Sequence, residues 1–194
     1  AGVNWLFLGT NTSKFNYSKF NLIEENDPMT TTATHLTATD TTRPAWLTQL
    51  LHTTDDVAPT VARLTLGLIM LPHGLQKTLG WFGGYGYAGT MGFFTETMGI
   101  PALFAFLAFL AIVAESLGAL ALITGVLTRV AAAGIGIVML VAALTAHLPN
   151  GLFMNWSGTQ AGEGFEYHLL AIGLALVALI KGGGRASIDG VLNK

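Results

Sequence analysis

The sequence predicts an all-α integral membrane protein: a four-helix transmembrane bundle with both termini in the cytoplasm (N-in/C-in), preceded by a disordered N-terminal extension. Three observations predict this. Hydrophobic residues make up 52% of the chain against 10% charged, and the mean hydropathy of +0.56 lies above the range usual for soluble domains. Four apolar stretches, each near the roughly 20 residues that cross a bilayer, nearly fill the chain after residue 57. Lysine and arginine are absent from two of the loops between these stretches.

Composition also narrows the chemistry. A net charge of −2 with scattered basic residues supplies no footprint for nucleic acid. The chain has no cysteine, so disulfides, thiolate chemistry and iron–sulfur ligation are excluded within it. A redox step would need a bound cofactor or a partner.

The N-terminal extension is expected over residues 1–56 and the membrane domain over 57–190. Residues 1–28 begin at Ala1, lack a signal-peptide pattern and carry scattered aromatics, so Met29 is read as the native start. Residues 30–44 form a Thr/Ala run too poor in apolar residues for a core, and are expected to be disordered. In residues 45–56, Trp46, Leu47, Leu50 and Leu51 recur at helical spacing and suggest a short helix in the membrane interface, with a loop that touches the bundle as the equal alternative. Asp55 and Asp56 before Pro59 mark a helix start, and this first spanning helix is expected to reach Phe82 and stop at Gly83-Gly84. The second is expected from Pro101 to Thr124. Gly125 and Thr128 then supply a C-terminal glycine and an N-capping threonine for a tight hairpin. The third helix is expected over Arg129–Leu148, ended by Pro149-Asn150-Gly151. The fourth is expected over Phe165–Lys181, before three glycines.

Orientation follows from the positive charges. Arg43, Arg63, Arg129, Lys181, Arg185 and Lys194 all fall at one end of this topology, whereas loops 84–100 and 149–164 carry none. Because positive loops stay in the cytoplasm, a multi-pass protein of the cytoplasmic (inner) membrane is expected, in contact with the lipid bilayer.

An ionisable residue within a spanning helix costs about 2.5 to 3.5 kcal/mol on insertion scales, so each needs a partner or a wet cavity. At 100° per residue, Arg63, His73 and Lys77 fall within roughly 80° of one another and share a face with Gly67 and Gly74. Glu115 lies on a small-residue stripe with Ala108, Ala111, Gly118 and Ala119, the type of surface on which membrane helices pack. Arg129 and His147 align on one face of the third helix. On the fourth, Glu166 shares a face with Gly173 while His168 points the other way.

Depth sorts these groups into two sets. Arg63, Glu115 and Arg129 fall in the cytoplasmic half and are expected to form a structural ion-pair network. His73, Lys77, His147 and Glu166 fall in the outer half, where two readings stand. In one, Lys77 snorkels and the histidines bond backbone carbonyls. In the other they form a polar pocket: His73, Lys77 and His147 would bind the carbonyl oxygens of a quinone head group, and the histidines with Glu166 would exchange protons as catalytic groups. His73 and His147 as axial haem ligands is a minor geometric alternative. No metal site is expected.

Several motifs together carry a family resemblance: Arg63-Leu-Thr-Leu-Gly67, His73-Gly-Leu-Gln-Lys77, Gly80-Trp-Phe-Gly-Gly84, Gly99-Ile-Pro101, Glu115, Gly125-Val-Leu-Thr-Arg129, His147-Leu-Pro-Asn150-Gly and Gly164-Phe-Glu-Tyr167. In this order, over residues 57–190, the chain resembles the DoxX family of small membrane proteins. The family is named for a membrane subunit associated with quinone-linked sulfur oxidation in archaea, and other members are linked to thiol, quinone and oxidative-stress metabolism. The resemblance implies a membrane redox component, an oxidoreductase subunit that exchanges electrons with the quinone pool. Since this chain lacks cysteine, any thiol chemistry would fall to the substrate or to a redox protein partner. A non-catalytic anchor or assembly subunit, and a small-solute channel or exporter built as a homo-oligomer, are the alternatives.

Overall fold

The computed structural model describes residues 43–101 and 104–193, and these are helical with no strand among them. Seven α-helices follow in order: α1 (Ala45–Leu51), α2 (Val57–Thr78), α3 (Gly86–Gly92), α4 (Ala105–Thr124), α5 (Thr128–Ala142), α6 (Glu166–Lys181) and α7 (Ile188–Leu192). The expectations for residues 1–28 and for most of the Thr/Ala run lie outside the described residues.

Local signals account for most helix ends. Asp56 caps α2 as expected, its carboxylate accepting from the Ala58 amide at 3.0 Å. This helix stops at Thr78 rather than Phe82. Gly80 adopts φ +73°, which breaks the helical register, and Trp81–Gly83 form a separate 3-10 turn. Gly125 closes α4 with φ +72°. That helix begins at Ala105, after a turn in which Phe104 donates to the Pro101 carbonyl at 2.7 Å, so Pro101 lies outside it. Beyond Ala142, α5 continues through a π-helical turn (Ala143–His147) and a 3-10 turn (Leu148–Asn150).

Thr128 does not cap α5. Its role falls to Asp189 of α7, whose carboxylate accepts from the Leu127 and Thr128 amides at 2.7 and 2.8 Å. An acidic group there also complements the positive end of the helix dipole.

The four long helices pack in a ring of neighbours: α2 on α4 and α6, and α5 on the same two. Their shared core is made largely of alanine, with Ala119, Ala131, Ala132, Ala171, Ala175 and Ala178 around Leu66, Met70, Leu122, Ile135 and Met139. Such small side chains let helix axes approach closely, which replaces hydrophobic exclusion as the source of cohesion in lipid. The outer faces reverse the pattern of a soluble protein: Phe106, Leu107, Leu117, Ile137, Leu144 and Leu170 are all exposed. Two helices, Ala105–Thr124 and Thr128–Asn150, are long and apolar enough to cross a bilayer. With these outer faces, they describe a membrane protein.

Candidate functional site

The ionisable residues separate into two clusters, with a membership that differs from the expected one. At the end of the helix ring that carries α1 and α7, Arg63 is buried and donates four hydrogen bonds to backbone carbonyls. Its Nε donates to Gly183 O at 2.7 Å and Nη1 to Leu122 O and Ile123 O at 2.6 and 2.8 Å, while Nη2 donates to Ala186 O. Leu122 and Ile123 lie in the last turn of α4, where helix carbonyls have no partner of their own. Arg129 acts alike: Nη1 donates to Leu179 O of the last turn of α6 at 2.5 Å, and Nε and Nη2 to His52 O, just past α1, at 3.3 and 3.1 Å. Both arginines thus cap helix C-termini, and neither pairs with Glu115. This corrects the expected network.

Glu115 pairs with Lys77 instead, Oε2 accepting from Nζ at 2.5 Å. The carboxylate side chain is 6% exposed and the lysine 25%, so the pair is reached from the lysine side. Gly74 sets the level of Glu115, since a Cβ there would stand 2.5 Å from the Glu115 carbonyl and 2.6 Å from Ser116 Cα. Arg63 lies eleven residues earlier on α2, about 16 Å along the axis at 1.5 Å per residue. Glu115 therefore belongs to the depth of His73 and Lys77.

Below this pair runs a row of rings contributed by α2, α5 and α6. The His73 centroid lies 6.1 Å from that of Tyr167, Tyr167 lies 5.7 Å from His168, and His168 lies 4.2 Å from His147. Tyr167 Oη contacts Met70 Sδ at 3.5 Å. His147 Nδ1 is 2.9 Å from the Glu163 carbonyl; a carbonyl can only accept, so Nδ1 is the donor. Since His73 meets Tyr167 and His147 meets His168, the two histidines do not face each other across a gap as axial haem ligands would.

The row brings together His73 and His147 but not Glu166. That carboxylate accepts from the Met154 amide at 3.0 Å and from Trp156 Nε1 at 3.1 Å, and so pins the loop before α6. Gly173, assigned to the same inward face, has open space around it. His168, expected to point away, is buried in the row. The angular offset between Glu166 and His168 was legible, but which of the two faced inward was not, because Glu166 opens the helix and can turn back to the loop. Tyr167 was visible only as part of a motif.

Two features bear on what the site could hold. His168 Nδ1 is buried with no hydrogen-bond partner, at a cost of about 1 to 3 kcal/mol that a ligand acceptor or donor would relieve. Lys77 also opens into a cavity of about 270 Å³ lined by Gln76, Tyr85, Thr90, Phe93 and Phe94, at the small end of ligand pockets. Aromatic walls with one cationic donor and protonatable imidazoles nearby suit a planar ring bearing carbonyl oxygens.

Comparison with curated proteins and with solved structures finds no match. The family model for DoxX does match, over residues 58–148, which span α2 through the turn after α5 and include Arg63, His73, Lys77, Glu115, Arg129 and His147. Residues 58–148 of this chain are a DoxX domain, in keeping with the motifs of its sequence.

Proposed function

We propose that this protein is a multi-pass component of the cytoplasmic membrane, a four-helix transmembrane bundle that binds a quinone head group beside Lys77 and supplies protons for its reduction. The observation that carries this reading is the Lys77–Glu115 pair opening into an aromatic cavity, with His73 one turn away at the head of a row of protonatable rings. Lys77 would donate to one quinone oxygen. Glu115, held against Lys77, keeps the ammonium aimed at the cavity. His73, Tyr167, His168 and His147 would carry protons through the bundle.

Reduction of a quinone to the quinol takes up two electrons and two protons. The chain has no cysteine, so the electrons would come from a thiol or reduced-sulfur compound oxidised on a partner protein. The exposed apolar residues of α2 and α6, among them Val61, Leu68, Leu169 and Leu176, support four spans, although these two helices carry more polar groups than α4 and α5.

Binding of a short-chain ubiquinone or menaquinone analogue to protein purified in mild detergent tests the proposal. His73→Ala and Lys77→Ala should each weaken binding by about 1 to 3 kcal/mol, the value of a buried hydrogen bond, with Lys77→Arg less affected than Lys77→Ala. His168→Phe, which removes the unpartnered nitrogen, should leave the fold intact while slowing proton-coupled reduction. Parent-like binding in all variants would sink the quinone site, and a tightly co-purifying protein without quinone would favour an anchoring role.

A further inference from the structure

A second recess lies at the opposite end of the helix ring from Lys77. Between α1, α5 and α6 runs an open groove of about 510 Å³, its apolar walls formed by Trp46, Leu50, Val130, Ala133 and Leu179, with Arg129 in its lining. Arg129 opens α5, one of the two helices apolar enough to span a bilayer, so its guanidinium sits where a spanning segment meets the membrane surface. Ala133 lies one turn deeper on the same helix. Trp46 is 66% exposed at the rim, and tryptophan is the residue type most at home at head-group depth.

Charge identifies the occupant. Among the described residues Arg129 has no carboxylate partner; its three bonds go to the carbonyls of His52 and Leu179. A guanidinium has five N–H groups, so one on each terminal nitrogen stays available. An apolar helix of a second chain laid over this groove would bury that charge without compensation. A neutral quinone tail would leave it unmatched. A phosphate accepts from both free N–H groups and neutralises the charge.

We infer that the groove is a binding site for one anionic phospholipid, whose phosphate pairs with Arg129 and whose acyl chain lies along Val130, Ala133 and Leu179 beneath Trp46. Bound here, the lipid would tie α1 to the membrane domain. The site is independent of the quinone reading, from which it differs in ligand, end of the molecule and residues.

The test uses native mass spectrometry and thermal unfolding of the full chain in mild detergent, with dioleoyl phosphatidylglycerol and dioleoyl phosphatidylcholine as probes. One phosphatidylglycerol per chain should bind at least tenfold more tightly than phosphatidylcholine and raise Tm more. Arg129→Gln should abolish that preference. Because this variant also loses bonds to helix-end carbonyls, Ala133→Phe provides a second test: it fills the groove without touching a hydrogen bond and should reduce binding of both lipids. Equal binding of the two lipids to the parent, or a preference that survives in both variants, would overturn the proposal. So would stabilisation by inorganic phosphate equal to that by phosphatidylglycerol, which would reduce the site to a free-anion contact. Conversion of a dimer to a monomer by Ala133→Phe, with lipid binding unchanged, would make the groove a contact between copies and equally overturn it.

Discussion

At the scale of single residues, the buried charges are matched by two different chemistries. Arg63 and Arg129 are held by carbonyls at helix ends, whereas Glu115 is held by the ammonium of Lys77. A double-mutant cycle separates these arrangements. Lys77→Ala with Glu115→Ala should show a coupling of about 1 to 3 kcal/mol in thermal or denaturant unfolding, as expected for residues in direct contact. Arg63→Ala with Glu115→Ala should be additive to within about 0.5 kcal/mol, since no partner is shared. Strong Arg63–Glu115 coupling would reinstate the ion-pair network. That network rests on depth counted along each helix from its expected ends, and such a count places a side chain only within its own helix. It does not give the axial slide of one helix along another, and that slide, set by Gly74 against Glu115, decides which cation the carboxylate meets.

At the scale of elements, legibility follows the distance over which each signal acts. The start of α2 and the stops of α4 and α6 are local: Asp56 caps two residues ahead, and Gly125 and Gly182 turn the chain at φ +72° and +76°. The start of α5 is not local, because its cap comes from Asp189 in α7, with 61 residues of separation. The residues that pack α2 on α4 behave in the same way, since Gly74 reads as one small residue among many until its neighbour is known. Gly74→Ala would place a methyl group against the backbone of Glu115 and Ser116, and should cost about 1 to 3 kcal/mol as an overpacked contact while disrupting the Lys77–Glu115 pair. Gly173→Ala, with open space around it, should be neutral or stabilise α6 by up to about 1 kcal/mol through helix propensity. Unfolding midpoints in detergent check both. A Gly74→Ala protein as stable as the parent would mean that α2 and α4 do not approach as closely as their backbones indicate.

At the scale of the whole molecule, orientation depends on which end collects positive charge. Arg43 donates to Leu192 O, Arg63 to Gly183 O and Ala186 O, Arg129 to His52 O, and Arg185 pairs with Asp55 at 2.9 Å. These contacts gather arginines from the two ends of the described chain and from the α4–α5 hairpin onto one end of the helix ring. Lys77 sits toward the other end of α2, committed to Glu115. Aspartates share the arginine-rich end, but acidic residues contribute little to orientation, so the arginines should hold it on the cytoplasmic side. The parent has no cysteine, which allows single-cysteine mapping without background. Ser187, the natural choice near the C-terminus, is a poor probe because it is buried and its hydroxyl caps α7. Val191 is 70% exposed at the same end, and Ser157 is exposed in the loop before α6. In intact cells a membrane-impermeant maleimide should label Ser157→Cys at once and Val191→Cys only after permeabilisation. The reverse pattern would turn the molecule over in the membrane, moving the Lys77 cavity to the cytoplasmic side and the Arg129 groove to the outer leaflet.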